Sequence, residues 1–351
     1  MTSNLELPEI FRDLKTIDPH EITNLNILIT GGAGYLGSTL SQKLLDKGHK
    51  VRVLDDLWYG KESIQDCLKN DNFELIQDDL RNLTTIVKSL KDIDGVIHLA
   101  SVVGMPASSI EPRTSEEINY LVTKNIAELC TLHEIPTYVF SSTCSVYGSQ
   151  PEKMITEKSK VSPMDYYAKQ KYLSERAINW LNTAPTILRF GTLFGYSKRM
   201  RFDLVINLFI AQSILENKIT VFGGNQFRPF LHVNDAAQSL IFAIEKDLTG
   251  TYNVISENMT ILDAAKHISK LSGCEIEISN ENEDKRNYQV SGEKIKQMGF
   301  KPQFRIEDAF NEIKKKIEEG EIKNFNDEKY SNYKLLFGSK EMQQRVFLEG
   351  I

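Results

Sequence analysis

The stretch that most constrains this chain is Asn26 to Gly37, Asn-Ile-Leu-Ile-Thr-Gly-Gly-Ala-Gly-Tyr-Leu-Gly. Ile27, Leu28 and Ile29 are apolar without alternation, which suits a strand only when both of its faces are covered, as in a parallel sheet wrapped by helices. Glycines follow at once. Between a strand and a helix, Gly31 permits the tight turn, Gly34 lets a pyrophosphate approach the backbone, and Gly37 lets the helix close onto the strand. The helix then presents free N–H groups to the anion through its first turn, where Tyr35 and Leu36 stand. A glycine triplet alone is weak, because an ordinary glycine-rich loop reads the same way. Context strengthens it. Val51-Arg-Val-Leu-Asp55 reads as the next strand and ends on a carboxylate where a dinucleotide fold carries its ribose-binding acid. Asp55 can accept from a ribose 2'-hydroxyl but repels a 2'-phosphate, so NAD is expected over NADP. Arg52 falls on the opposite side of the strand if alternation holds.

Strand-like runs at 25–30, 50–55, 73–77, 94–99, 137–142 and 186–190 alternate with helical patterns, which predicts an α/β fold built on a Rossmann doubly wound parallel sheet. Past Arg189 the rhythm changes. Tyr196 to Asp203 is basic and loop-like, an apolar helix follows over about 204–215, and short strands at 219–222 and 251–254 bracket a helix at 235–246. These features predict a smaller C-terminal α/β substrate-binding region. The expected division is an N-terminal extension over 1–24, an NAD-binding domain over 25–190 and 218–250, and the substrate-binding region over 191–217 and 251–351. Ile10 to Leu14 could form one short amphipathic helix within the extension.

A length of 351 residues is ample for a real core, and 42 basic against 48 acidic residues, net −6, argues against a nucleic-acid surface. Cys67, Cys130, Cys144 and Cys274 are scattered without a CxxC pair, so no metal site or redox motif is expected, and reduced thiols of a cytoplasmic protein are the simplest reading. Neither a signal-peptide core nor a run of membrane-span length is present, so no membrane association is expected.

Phe140-Ser-Ser-Thr-Cys-Ser-Val-Tyr-Gly148 closes the strand that begins at Thr137. Its hydroxyl cluster, Ser141, Ser142 and Thr143, falls at the C-terminal end of a parallel strand, beside the crevice where such sheets bind ligands. Further on, Tyr167 and Lys171 share one helix face. An ammonium beside a tyrosine favours the phenolate, so Tyr167 is a plausible base for a substrate hydroxyl whose carbon gives up a hydride. The same spacing recurs at Tyr120/Lys124 and Tyr330/Lys334. Only Tyr167 follows Thr143 at a distance that brings both to one crevice.

With these residues in order, the chain resembles the extended short-chain dehydrogenase/reductase family, in its NAD-dependent nucleotide-sugar epimerase and dehydratase branch, over about residues 25–320. The motifs are Thr30 to Gly37, Asp55, Asp79-Leu80, His98-Leu99-Ala100, Asn119, Ser141 to Thr143, Tyr167/Lys171 and Arg228 to Val233. The resemblance implies that Asp79 and Leu80 contact adenine, that Leu99, Ala100 and Ser101 run along the cofactor, and that Asn119 and Ser141 belong to its site. It further implies that Thr143 polarises a sugar oxygen, Tyr167 moves its proton and Lys171 holds the nicotinamide ribose. Asn207, Arg228 and Arg286 would face the diphosphate of a nucleotide-sugar substrate, with Val103 and Thr192 nearer the sugar. Relatives form a homodimer through helices corresponding to 111–134 and 165–183, and serve carbohydrate and polysaccharide biosynthesis.

Dehydratases of this branch carry Asp-Glu after the catalytic threonine; here the positions are Cys144 and Ser145, which cannot replace an acid and base pair. The leading expectation is therefore 4-epimerisation through a transient 4-keto sugar. A C4 dehydrogenase or 4-ketoreductase is the alternative, kept open by Gly191-Thr192 and by the unusual loop Val102 to Pro106, and a non-catalytic binding protein is the second. Cys144 reads as buried filler against a reactive thiol. His98 and His232 read as structural histidines, and Lys314 to Glu319 as an exposed helix face. Lys198, Arg199 and Arg201 read equally as a solvated loop or as a site for phosphate or a sugar carboxylate.

Overall fold

A computed structural model of the chain describes residues 24–104, 108, 111–180, 184–279, 284 and 286–338. The helix expected at Ile10 to Leu14 lies outside them, as do Met105 and Pro106. Strands β1 (Asn26–Thr30), β2 (Lys50–Asp55), β3 (Phe73–Gln77), β4 (Gly95–His98), β5 (Thr137–Thr143), β7 (Thr186–Phe190) and β11 (Gly250–Val254) form one sheet in the order β11-β7-β5-β4-β1-β2-β3. Every neighbouring pair in it is parallel.

The unbroken apolar run of β1 serves two cores. Ile27 and Ile29 pack with Leu40 and Leu44 of the helix Tyr35–Asp46 and with Ala236 and Leu240 of the helix Val233–Glu245. Leu28 points the other way, into a core with Ile126 and Cys130 of the helix Val122–Leu132 and Ile178 of the helix Tyr166–Asn179. All three strand residues are fully buried, each contributing on the order of 1.5–3 kcal/mol by its removal from water.

From β1 the sheet runs to β2 on one side and to β4 on the other. This reversal leaves a crevice at the strands' C-terminal ends. His98 braces the spot: its ring bridges Thr30 Oγ1 at 2.6 Å and Thr123 Oγ1 at 2.9 Å. Burial pushes its pKa down to about 3, which leaves the ring neutral at neutral pH.

Three smaller sheets surround the crevice: β12 (Glu257–Thr260), β10 (Phe227–His232) and β8 (Thr192–Phe194); β13 (Glu275–Ser279) with β9 (Lys218–Phe222); and β14 (Tyr288–Val290) with β6 (Gln150–Ile155). Two strands pair differently from what the expected division would suggest. β9, assigned to the NAD-binding domain, pairs with β13 outside the main sheet, and its alternation of buried Ile219 and Val221 with exposed Lys218 and Phe222 is that of a strand covered on one face. Conversely, most of β11 fell in the expected substrate region, yet it forms the edge of the main sheet, where Tyr252 and Val254 are buried.

The exposed face of the helix Ile306–Glu318 carries Lys314–Glu318 and Lys315–Glu319 pairs one turn apart. Beyond it the helix Asn332–Gly338 seats Leu336 against Val102 and Ile118. No helix among the described residues is long and apolar enough to cross a membrane.

Candidate active site

A cleft of about 840 Å³ occupies the crevice, walled by the main sheet on one side and by the smaller sheets on the other. Its floor is the glycine turn. Gly31 has φ +75°, and a Cβ on Gly37 would stand 2.2 Å from the Gly31 carbonyl oxygen, so a side chain there would force helix and turn apart. The helix Tyr35–Asp46 has neither a capping side chain nor an acid in its first turn, which leaves its leading N–H groups to an external anion. Beside the turn, Asp55 accepts from the backbone N–H groups of Ala33 (2.9 Å) and Leu57 (2.8 Å), and burial raises its pKa. A bare cradle for a diphosphate next to a fixed carboxylate fits NAD. Arg52 turns away from it, to Glu74 at 2.6 Å.

Of the residues expected at cofactor or substrate, all line this cleft except Asn119 and Asn207. Asn119 is fully buried behind the wall: its Oδ1 accepts from Ser101 Oγ and from the Val102 N–H, both at 2.7 Å, and its Nδ2 donates to Gln170 Oε1. It holds Ser101 in place and does not itself face the cleft. The placing of Asn207 at the diphosphate is likewise corrected. Its Oδ1 accepts from the Gly195 N–H at 2.8 Å, and its Nδ2 donates to the Arg201 carbonyl at 2.9 Å and to the Tyr35 hydroxyl at 3.2 Å. Both ends of the amide are committed within the protein.

Thr143 ends β5, with its hydroxyl accepting from the Ser145 N–H at 3.1 Å. Below it, Ser142 donates to Glu175, and Glu175 pairs with Arg189 at 2.5 Å in a buried ion pair. Arg189 in turn donates to the Tyr147 hydroxyl at 2.8 Å. This network clamps β5, β7 and the helix Tyr166–Asn179 together, the elements that bring Thr143, Tyr167 and Lys171 to one cleft. Lys171 Nζ donates to the Ser141 carbonyl at 2.9 Å, lies 4.7 Å over the Phe140 ring and stands 6.0 Å from the centre of the Tyr167 ring. Burial pushes the lysine's pKa down to about 7, against the pull of Glu175.

Around Tyr167 itself, burial outweighs the neighbouring charges. Burial, followed by the charge of Asp165, raises the Tyr167 phenol, and the cation that opposes them is Arg201. Arg228 and Arg286 are also less free than expected. Both reach the Asp284 carboxylate, at 2.8 and 2.6 Å, and the pair holds that acid far below the usual range.

Arg199 and Arg201 are not a solvated loop: they are 5% and 9% exposed and line the cleft, whereas Lys198 pairs at the surface with Asp66. Met200 between them and Phe202 just after them are buried too. That apolar interleaving is the signal in the sequence that separates a packed segment from a charged loop. Tyr59, Asp203 and Asn332 line the same end of the cleft and were not anticipated; Tyr59 and Asp203 stand in irregular segments and Asn332 opens a short helix, so none belongs to a periodic pattern. Cys144 is fully buried, its Sγ donating to the Arg189 carbonyl at 3.2 Å, and burial drives its thiol pKa upward. His232 is also buried and caps the helix Val233–Glu245 by accepting from the Asn234 N–H at 3.1 Å.

Fold and cleft together define an enzyme of the dinucleotide-dependent type. Residues 27–254 match the model of the NAD dependent epimerase/dehydratase family. An uncharacterised UDP-glucose epimerase of Bacillus subtilis is 31% identical over 269 residues, 71% of this chain and 83% of its own. UDP-glucuronic acid decarboxylase 1 of Xenopus tropicalis is 28% identical over 302 residues, covering 81% of this chain and 70% of its own. Among solved structures, the UDP-N-acetylglucosamine 4-epimerase of Methanobrevibacter ruminantium, in complex with UDP-N-acetylmuramic acid, superposes with a TM-score of 0.78 at 27% identity, covering 85% of this chain and all of its own. The chain belongs to the NAD-dependent epimerase/dehydratase family, and its cofactor is NAD.

Proposed function

We propose that the protein is a nucleotide-sugar 4-epimerase. The observation that carries this reading is the meeting of Thr143, Tyr167 and Lys171 in the cleft that holds the dinucleotide cradle, with no acid and base pair at Cys144 and Ser145. Bound NAD supplies a hydride acceptor that becomes the donor for the return step. The Thr143 hydroxyl is set to hold the sugar's C4 oxygen by a hydrogen bond. Tyr167, as the phenolate, takes the C4 hydroxyl proton as the carbon is oxidised and, as the phenol so formed, gives it back when the ketone is reduced on its other face, so no net proton or electron is consumed. Lys171 is placed beside this exchange and holds the ribose next to the nicotinamide. Thr192 and Val103 border the sugar, Arg228 and Arg286 take the diphosphate, Asp55 takes the adenosine ribose, and Asp79 and Leu80 lie at adenine.

Two coarser features complete the proposal. Leu121, Leu132, Leu173 and Trp180, on or at the ends of the helices expected at the interface, are exposed large apolar side chains, which supports a homodimer through these helices. All four cysteines are unpaired and buried, in keeping with a cytoplasmic protein that supplies nucleotide sugars for polysaccharide biosynthesis.

The test is incubation with NAD and a panel of UDP-glucose, UDP-N-acetylglucosamine and UDP-glucuronate, following NADH absorbance and product stereochemistry together. The C4 epimer without net NADH is the expected result. Stoichiometric NADH without epimer makes the protein a dehydrogenase, release of carbon dioxide from the uronate makes it a decarboxylase, and no turnover across the panel leaves a binding protein.

A further inference from the structure

Two buried polar atoms at one end of the cleft have no hydrogen-bond partner among the described residues: Arg199 Nη2 and Asn332 Oδ1. Each residue is 5% exposed and each lines the cleft. Arg199 stacks 4.2 Å over the Tyr59 ring, and its Nη1 reaches only the Met200 carbonyl at 3.5 Å. The nearby acid is already spent. Asp203 forms a two-bond pair with Arg201, at 2.8 and 2.9 Å, and also accepts from the Asn332 backbone N–H at 3.3 Å. Counting Arg199 and Arg201 against Asp203 leaves one positive charge without a counter-ion. Burial lowers the Arg199 pKa to about 10, so the guanidinium remains charged at neutral pH. A buried charge and a buried acceptor, both unpaired, are costly, and stacking on an aromatic ring offsets only part of that cost. Asn332 also lies beyond the segment matched by the family model, which ends at residue 254.

We propose that Arg199 and Asn332 form a polar subsite of the cleft, in which Arg199 donates to an anionic oxygen of the bound ligand and the Asn332 carbonyl accepts from a hydroxyl beside that anion. The inference rests on the cleft being a nucleotide-sugar site. The anion is a carboxylate on the sugar, the diphosphate of the nucleotide sugar or the diphosphate of NAD, each of which has a hydroxyl-bearing ring next to it. Arg199, its neighbour Arg201 and Tyr167 line the same cleft, so a ligand held at the subsite extends into the cleft that contains the reacting groups.

The experiment is calorimetric titration of NAD, UDP-glucose and UDP-glucuronate into the full-length protein and into Arg199→Met and Asn332→Ala, with thermal unfolding of each ligand-free protein. Arg199→Met is expected to raise the melting temperature while weakening at least one ligand tenfold or more, and Asn332→Ala to weaken the same ligand about three- to tenfold. A loss confined to UDP-glucuronate assigns the anion to the sugar carboxylate, an equal loss for both sugar nucleotides assigns it to their diphosphate, and a loss for NAD assigns it to the cofactor. Binding of all three ligands within twofold of the parent protein, or a lower melting temperature in Arg199→Met, overturns the proposal. These readouts are of binding and stability, so failure to find epimerisation leaves them unaffected.

Discussion

Tyr167 and Lys171 share a helix face, yet burial moves each away from the form that proton exchange with a sugar hydroxyl requires. The phenol is raised and the ammonium is lowered. Tyr167→Phe removes the proton-carrying oxygen without altering the cradle, so kcat should fall about 10²- to 10⁴-fold while NAD affinity, measured by titration, is unchanged. The lysine makes a second prediction, through its pKa. Its folded value of about 7 lies below the ordinary 10.5, so between these values the unfolded chain binds the extra proton. The group's unfavourable contribution is absent above pH 10.5, grows as pH falls and is complete below pH 7. Lys171→Met should therefore gain stability on the parent protein by up to about 1.4 kcal/mol per pH unit as urea melts are moved from pH 9.5 to pH 7, with no further gain below. A pH-independent difference would show that the lysine is not desolvated.

At the scale of elements, the site depends on three pieces of backbone meeting at fixed angles: the end of β5, β7 and the helix Tyr166–Asn179. Glu175 and Arg189 tie them together beneath Thr143. Glu175→Leu leaves the guanidinium buried without its partner, and about 3–5 kcal/mol should be lost in denaturant unfolding. Double replacement by Leu at 175 and Met at 189 should recover most of that loss if the charge alone is responsible. None of this network was legible in the sequence, because its members are single polar residues whose partners lie on other elements. The pieces that could be read were those with local causes. Gly31 and Gly37 are dictated by a turn a few residues long, and β1 by an apolar run whose two faces fill separate cores. Asn207 went astray because its position on the helix Val205–Leu215 was recognised while the direction of its amide was not; a carbonyl and an N–H from the loop 195–201 take both of its ends. The sheet that β9 joins was not legible for a related reason, since a short alternating strand does not reveal which edge it pairs with.

For the whole molecule, the proposed homodimer rests on the apolar side chains left exposed on two helical segments, among them Leu173 at 42% and Trp180 at 81% exposure. Leu121→Glu combined with Leu173→Glu should halve the mass seen by sedimentation velocity at micromolar concentration, and a monomeric parent protein would defeat the dimer reading. The second wall of the cleft has a different bearing on how the molecule works. Asp284 holds the two arginines proposed to take the diphosphate, so on that proposal the resting protein carries its own tethered competitor for that position. A carboxylate attached to the chain competes at an effective concentration set by geometry and does not diffuse away. An arriving diphosphate has to share the arginines with it, and a departing product finds its vacated contacts refilled at once. Asp284→Asn should accordingly tighten UDP binding while slowing UDP release in stopped-flow displacement, turning a site built for repeated exchange into one that holds its ligand.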